Sequence, residues 1–152
     1  MEEYVETIAY LIADDQVTSV SDIARAAGVS RPAASRSIRD LTDRGLVTHK
    51  SYGFVTLTPQ GRALAQRLFA RHDALFRLFR DILLLSPKDA DEEACRLEHY
   101  VDDELARRIE LLADFAGSHG EALADWRAYF LARLNAPTSE DADRADDQPD
   151  PD

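Results

Sequence analysis

Five consecutive residues in the second half of the chain carry three kinds of metal-binding side chain. In Cys95-Arg96-Leu97-Glu98-His99, a thiol, a carboxylate and an imidazole stand three and four residues apart. Because an α-helix has about 3.6 residues per turn, this spacing predicts that all three share one helical face. Such donors suit Fe(II), Mn(II), Co(II) or Zn(II) better than calcium. The motif alone is weak, since polar residues also meet by chance on the solvated face of an amphipathic helix.

Three other side chains could ligate a metal, although each has an ordinary alternative. Glu3 and Glu6 share a face of the predicted first helix at spacing i, i+3, as a solvated acidic face would also do. His72 lies on a predicted long helix between Arg71 and Asp73, where a solvated histidine is equally ordinary. Taken singly, none of the three indicates a site.

Length and composition limit the class of protein. The 152 residues can form either one core or one small domain with an accessory helical unit. A content of 45% hydrophobic and 31% charged residues is typical of a soluble globular protein. No apolar run approaches the roughly 18 residues that span a bilayer, and Met1 is followed by acids rather than a signal peptide. We therefore expect a cytoplasmic protein with no membrane partner. Its single cysteine excludes an intrachain disulfide.

The net charge of −11 conceals a basic segment. Residues 1–22 contain six acids and no base, residues 23–80 contain eleven bases and three acids, and residues 81–152 contain seven bases and twenty acids. A basic segment in an acidic chain indicates a surface that contacts phosphates. Double-stranded DNA is therefore an expected partner.

The basic segment has the pattern of a winged helix. Ser21 is predicted to cap a short helix that ends at Gly28, and Ser30 to cap a second helix that ends at Gly45. This order is typical of a helix-turn-helix. Residues 46–50 and 54–58 then predict a two-stranded hairpin around a Ser-Tyr-Gly turn. The expected fold class is mainly α, with a winged helix-turn-helix followed by helices.

The remaining elements are predicted to be helical, apart from the tail. An amphipathic helix is expected at 2–14, and further helices at about 58–84, 87–100, 102–116 and 120–134. Residues 136–152 contain seven acids, one Arg and three Pro, so we expect them to be disordered.

The second helix of the helix-turn-helix and the wing carry the candidate DNA contacts. Side chains in the first turns of a recognition helix reach base edges, where Arg reads guanine and Ala touches a thymine methyl. The helix candidates are Ser30, Arg31, Pro32, Ala33, Arg36 and Arg39. The expected phosphate contacts are Lys50, Tyr52, Ser35 and Thr58. The alternative is an ordinary solvated basic face.

The chain resembles the diphtheria-toxin-repressor and manganese-transport-regulator family of metal-dependent repressors. The similar segments are MEEYVETIAYLI, VSDIARAAGVSRPAASRSIRDLTDRGLV, LTPQGRALAQRLFARHDAL and DEEACRLEHYVDDELARRI. The resemblance implies a winged-helix DNA-binding domain at 1–70 and an all-helical metal-binding and dimerisation domain at 71–135, followed by the acidic tail at 136–152. It also implies a transcriptional repressor of metal homeostasis genes that acts as a homodimer on operator DNA, with no small-molecule substrate and no enzymatic activity.

The same resemblance implies a ligand set for one or two Fe(II) or Mn(II) ions per subunit. The implied ligands are Glu3, Glu6, His72, Cys95, Glu98 and His99. Cys95 matches the iron-type pattern, whereas Glu6 and His72 match ligands of the manganese type. His72 also matches an ancillary ligand of the iron type. Two ancillary positions of the iron type are Phe76 and Asp91 here, which do not favour a second site. A thiolate favours Fe(II) and the N-terminal carboxylates favour the harder Mn(II), and we expect Fe(II), with Mn(II) as the alternative.

Two other interpretations stay open. Val101, Leu105, Ile109 and Leu112 form an apolar stripe that predicts either the dimer surface or an intrachain core. Cys95 could also be a redox thiol in a winged-helix regulator that needs no metal. A nucleophilic enzyme using Cys95 and His99 is not expected, because no oxyanion or phosphate-binding loop accompanies them.

Overall fold

Side-chain caps set where four of the helices begin. In the computed structural model, a hydroxyl oxygen accepts a hydrogen bond from the backbone N–H three residues later at Ser19, Ser30, Thr58 and Ser86. Each cap satisfies an N–H group that the helix itself leaves without a partner. Proline occupies the first turn after the last three caps, where its fixed φ suits the helix. The predicted starts of these three helices are confirmed.

The structure describes residues 1–13, 17–49, 53–121 and 123–135. The helices are α1 (Glu2–Leu11), α2 (Val20–Ala26), α3 (Arg31–Asp43), α4 (Pro59–Arg77), α5 (Pro87–Leu97), α6 (Asp103–Ser118) and α7 (Ala124–Leu134). The strands are β1 (Thr18–Ser19), β2 (Val47–His49) and β3 (Phe54–Leu57). A π-helical turn covers Leu78–Ile82, and a 3₁₀ turn covers Glu98–Tyr100.

The first helix of the helix-turn-helix is capped by Ser19, so the prediction of Ser21 is wrong. Ser19 stands three residues before Asp22, whose carboxylate accepts a hydrogen bond from the Ser19 hydroxyl at 2.6 Å while the Asp22 N–H donates to that hydroxyl at 3.2 Å. This reciprocal pair is a variant of the capping box. Ser21 lies inside the helix and is exposed.

The wing is a three-stranded antiparallel sheet, not only the two-stranded hairpin that the sequence predicts. The strand order is β1-β3-β2, with Val47 opposite Leu57 and Thr18 opposite Val55. A strand of only two residues, such as β1, has too little alternation to be predicted from sequence. Residues 50–52, which include Lys50 and Tyr52, lie outside the described residues.

Buried aliphatic side chains from the first three helices and the sheet form the core that holds the helix-turn-helix. Val5 and Ile8 of α1, Ile23 of α2, Ile38 of α3 and Val55 of β3 are at most 1% exposed. Gly28 adopts φ +64° in the turn between α2 and α3, a conformation that favours glycine. The acidic helix α1 is therefore packed directly against the helix-turn-helix.

The helical path that starts at Pro59 ends near the predicted Leu84, but its last turn is π-helical. The α-helical part stops at Arg77, and Leu84 adopts φ +60°. The Leu85 N–H donates to the Phe79 carbonyl at 3.0 Å, a bond one residue wider than the outer hydrogen bond of a Schellman motif. Glycine usually occupies the left-handed position of that motif, so a leucine there gives no stop signal in the sequence.

The elements that follow α4 in the chain pack against it. Leu75 of α4, Ala94 of α5, Val101 and Ala106 are buried together, with Ile109 packed against them. The helix predicted for 87–100 is α-helical only to Leu97 and then tightens into the 3₁₀ turn. The predicted helices at 102–116 and 120–134 correspond to α6 and α7.

Residues 1–113 form one compact unit, and the chain from Asp114 onward forms a second. The expected domain division at residue 70 stays a prediction. The acidic tail 136–152 lies outside the described residues. Within the described part of the chain, no helix is long and apolar enough to cross a membrane.

Gly61 is required where the wing meets α4. A Cβ atom at Gly61 would overlap the carbonyl oxygen of Leu46 and approach Leu57 Cδ2 to 3.2 Å. We expect Gly61→Ala to lower the free energy of unfolding by about 3 kcal/mol, the upper part of the range for overpacking, because the clash is with backbone. Urea denaturation followed by circular dichroism measures this change.

Gly117→Ala is the matched control, since a Cβ at Gly117 in α6 meets no atom of the described residues within 4 Å. Replacing a helical glycine with alanine is expected to leave stability unchanged or to raise it by up to about 1 kcal/mol. Equal effects of the two substitutions would contradict the packing described for Gly61.

Candidate metal centre and DNA-binding surface

A cleft of about 360 Å³ lies between α1, α4, α5 and the 3₁₀ turn. Its lining includes three carboxylates, two imidazoles and the single thiol that the sequence indicates as metal ligands. The lining residues are Glu3, Glu6, Thr7, Tyr10, Phe69, His72, Asp91, Cys95, Glu98 and His99. Side chains separated by up to 96 positions in the sequence therefore face one space.

Three of these side chains form the tightest group. One donor atom from each of Glu6, Glu98 and His99 lies within 4.8 Å of the other two. Glu3, His72 and Cys95 line the same cleft outside this group. The sequence predicts Cys95, Glu98 and His99 on one α-helical face, but α5 ends before Glu98, so the turn that follows α5 presents the last two.

Glu98 is a buried carboxylate in the cleft. It is 3% exposed, and its Oε2 atom has no hydrogen-bond partner among the described residues. Burial, followed by the nearby Glu6 carboxylate, raises the pKa of Glu98 to about 7. A buried carboxylate oxygen without a partner is costly, and a cation would supply the missing interaction.

Burial also raises the pKa of Glu6. It raises the pKa of the Cys95 thiol as well, and the negative charges of Glu98 and Glu6 raise that pKa further. Although exposed at the cleft edge, Cys95 is thus kept in its protonated form more than an ordinary cysteine is. The cleft as a whole disfavours additional negative charge.

His72 and His99 each contact a carboxylate that the predicted ligand set omits. His72 Nε2 lies 3.5 Å from Asp91 Oδ1, and His99 Nδ1 lies 3.1 Å from Glu2 Oε2. The sequence contained a signal for Glu2, because it precedes Glu6 by four residues and shares its helical face. Asp91 likewise precedes Cys95 by four residues in α5.

The donors of this cleft fit a divalent transition metal. Carboxylate, imidazole and thiol donors are the types that Fe(II) and Mn(II) accept in proteins, and the orphaned Glu98 oxygen belongs to the tightest group. The number of ions per subunit stays a prediction, as does the role of each residue as a ligand.

The expected recognition helix, α3, presents its basic residues to solvent. Arg31, Arg36 and Arg39 are exposed on α3. Ser30 and Pro32 are exposed in its first turn, and Ala33 and Ser35 are half-buried. The opposite face buries Ala34, Ile38 and Leu41 in the core, which fixes the orientation of the basic face. Contact of these residues with DNA stays a prediction.

Thr58 has a structural role that accounts for its hydroxyl group. The hydroxyl donates to the Gly45 carbonyl at 2.7 Å and accepts from the Gly61 N–H at 3.0 Å. It therefore joins the end of α3 to the start of α4. Its predicted phosphate contact is untested.

Two family models match the chain. The model described as "Iron dependent repressor, metal binding and dimerisation domain" matches residues 58–121, and the model of the MarR family matches residues 4–52. The first match contains α4, α5 and the 3₁₀ turn, and the second contains the helix-turn-helix. Both thus cover elements that border the cleft.

Individual relatives agree with these matches. The chain is 34% identical over 119 residues to the diphtheria toxin repressor of Corynebacterium diphtheriae, covering 77% of this chain and 52% of that protein. It is 30% identical over 115 residues to the transcriptional regulator MntR of Geobacillus kaustophilus, covering 76% of this chain and 81% of that protein. The chain thus spans about half the length of the diphtheria toxin repressors.

The fold is shared with solved structures. A manganese-dependent transcriptional repressor in complex with manganese superposes with a TM-score of 0.66 at 34% identity, covering 75% of this chain and 52% of that one. The match to this structure and the match to MntR cover 75% and 76% of this chain. Both therefore include the winged helix and the helices that follow. The chain belongs to the diphtheria-toxin-repressor and manganese-transport-regulator family.

Proposed function

We propose that this protein is a metal-dependent transcriptional repressor of metal homeostasis genes that binds operator DNA as a homodimer. The observation that carries the proposal is the buried Glu98 carboxylate, which has an unpartnered oxygen among the described residues and faces Glu6 across the cleft. The exposed arginines of α3 support the DNA-binding part. Relatives named as transcriptional regulators support the regulatory part and agree with the expectation that the chain is not an enzyme.

The candidate ligands connect the helix-turn-helix to the elements around α5. Glu3 and Glu6 lie on α1, which packs against α2 and contributes Val5 and Ile8 to the core. The other candidates are His72 on α4, Cys95 on α5 and Glu98 and His99 on the 3₁₀ turn. A bound divalent metal supplies the positive charge that these donors lack.

Without that charge, the carboxylates of α1 and of the 3₁₀ turn repel each other. Burial raises the pKa of both Glu6 and Glu98, and the Glu6 carboxylate raises that of Glu98 further, so ionising both costs free energy. This repulsion destabilises the arrangement in which α1 lies against the 3₁₀ turn. Metal and operator DNA then both favour the conformation in which α1 lies against the 3₁₀ turn. Each ligand should therefore tighten the binding of the other.

The proposed dimer surface is on α6. The predicted apolar stripe divides, because Val101 and Ile109 pack into the intrachain core whereas Leu105 and Leu112 are 47% and 49% exposed. Leu111, beside them in α6, is 57% exposed. Exposed leucines on one helix are suited to a second copy of the chain, and two-fold symmetry would pair two recognition helices with two half-sites.

We propose Fe(II) as the physiological metal, with Mn(II) as the alternative. The thiol of Cys95 at the cleft favours the softer ion, whereas the carboxylates of Glu3, Glu6 and Glu98 favour the harder one. Relatives include the diphtheria toxin repressor and MntR proteins.

A metal-independent redox switch at Cys95 is less well supported. Thiol oxidation proceeds through the thiolate, and the raised pKa of Cys95 keeps the thiolate scarce. The carboxylates that raise the pKa of the thiol are the same ones that attract a cation.

The proposal predicts that sequence-specific DNA binding requires metal. Duplexes are selected from a random-sequence pool by the anaerobic protein with Fe(II), with Mn(II) or with EDTA. We expect a two-fold symmetric sequence to be enriched with metal and not with EDTA. Fluorescence anisotropy with the selected duplex should give half-saturation at a lower free concentration of Fe(II) than of Mn(II).

Equal enrichment in EDTA would contradict metal dependence. Tighter activation by Mn(II) would instead select the manganese alternative and leave the rest of the proposal intact. Size-exclusion chromatography with light scattering on the same samples reports whether the DNA-bound species is a dimer.

Arg36→Ala should weaken binding to the selected duplex. Arg36 is exposed on α3, and loss of one arginine contact to a base or phosphate costs about 1–3 kcal/mol, which is roughly a 5- to 150-fold rise in Kd. Anisotropy measures Kd, and the metal affinity should stay unchanged. Arg133→Ala on α7 removes the same charge outside the helix-turn-helix, and we expect the Kd for DNA to stay unchanged in this control. An unchanged Kd for Arg36→Ala would remove this residue from the interface.

Glu98→Gln should stabilise the metal-free protein at alkaline pH. The pKa of Glu98 is raised from an ordinary 4.5 to about 7 on folding, so its contribution to stability falls as pH rises from about 4.5 through 7. The raised pKa of Glu6 acts in the same direction. In EDTA, we expect the variant to melt at least about 3 °C above the wild type at pH 8 and close to it at pH 5.

Glu92→Gln is the matched control, because Glu92 is exposed on α5 and pairs only weakly with Lys88 at 3.7 Å. Its melting temperature should follow the wild type at both pH values. A Glu98→Gln variant that melts below the wild type at pH 8 would show that the carboxylate has a stabilising partner.

A further inference from the structure

We propose that Glu2 is a positioning residue that fixes the tautomer and orientation of the His99 ring. The carboxylate of Glu2 accepts a hydrogen bond from His99 Nδ1–H and leaves Nε2 facing the cleft. This inference rests on the proposed function only in assuming that the cleft binds a metal. It concerns a residue outside the candidate ligand set.

The contact is specific in its geometry. Glu2 Oε2 lies 3.1 Å from His99 Nδ1, which is hydrogen-bond distance, although the residues are 97 positions apart. The side chains are 40% and 24% exposed, so the contact is half-sheltered from water. It joins the first turn of α1 to the 3₁₀ turn without using Glu3 or Glu6.

The other ring nitrogen points to a different space. His99 Nε2 lies 3.6 Å from Glu98 Oε1, too far for a hydrogen bond. His99 lines both the metal cleft and a second cleft formed by Met1, Glu2 and Glu3. Among the described residues, Glu2 lines the second cleft and not the first. The imidazole thus lies between Glu2 on one side and the cleft that contains Glu6 and Glu98 on the other.

This arrangement selects one of two neutral tautomers. An ionised carboxylate only accepts hydrogen bonds, so the nitrogen that faces it carries the proton. In the neutral ring, the proton on Nδ1 leaves a lone pair on Nε2, and a lone pair is what a metal ligand requires. Histidines that ligate metals commonly donate their second N–H to a carboxylate, and removal of such a partner weakens metal binding about 10- to 100-fold.

Tautomer and affinity are measured separately. In metal-free protein, ¹⁵N NMR of the imidazole at the alkaline end of a titration should show a protonated Nδ1 and a bare Nε2 for His99. Glu2→Ala should lose this preference. Glu2→Gln, whose side-chain carbonyl still accepts a hydrogen bond, should retain most of it. Glu92→Gln, an exposed charge change on α5, should leave the spectrum unchanged.

Calorimetric titration with Mn(II) gives the second readout. We expect Kd to rise about 10- to 100-fold for Glu2→Ala, less for Glu2→Gln and not at all for Glu92→Gln. Circular dichroism in EDTA checks that each variant is folded. If Glu2→Ala does not fold, Glu2→Gln is compared with the wild type instead.

The proposal is overturned if Glu2→Ala keeps the wild-type tautomer, or if it changes the tautomer but binds Mn(II) within twofold of the wild type. Wild-type protein that binds neither Mn(II) nor Fe(II) would defeat the proposed function, and with it the link to metal. The ¹⁵N spectra would still decide whether Glu2 sets the tautomer of His99, so the two failures are distinguishable.

Discussion

Carboxylates held close together in a half-buried cleft are the constraint on which the other features of this protein depend. Glu98 is almost fully buried beside Glu6, and burial raises the pKa of both groups. Water cannot solvate such groups freely, and the described residues leave one Glu98 oxygen without a partner. The free energy lost in this way is recovered only by a proton or a cation, which makes the cleft responsive to its ionic surroundings.

The architecture makes that local electrostatic cost act on α3, the proposed DNA-binding helix. Helix α1 contributes acidic side chains to the cleft from one face and buries Val5 and Ile8 in the core of the helix-turn-helix from another. Ile38 of α3 lies in the same core and orients the exposed arginines of α3. A change in charge at the cleft therefore acts on the helix against which the helix-turn-helix packs.

Charge segregation allows both surfaces in one strongly acidic chain. The net charge is −11, yet residues 23–80 are basic and include the exposed face of α3. The acidic residues concentrate on α1 and in the second half of the chain, where they supply carboxylates to the cleft. The proposed metal ion and the proposed DNA would thus be attracted to different parts of the same unit, as the proposed coupling between them requires.

The sequence by itself determined the helix-turn-helix, the β2–β3 hairpin of the wing and the residue types of the cleft, because caps, glycine turns and apolar periodicity are local signals. It also indicated Cys95, Glu98 and His99 through their spacing. Only the tertiary structure decided that Glu98 is buried, that α5 ends before it and that Glu2 contacts His99. Burial, the pKa of a carboxylate and a contact across 97 residues depend on which elements pack together. A local pattern does not contain that information, so the electrostatics of the site emerge only once α1 lies against the 3₁₀ turn.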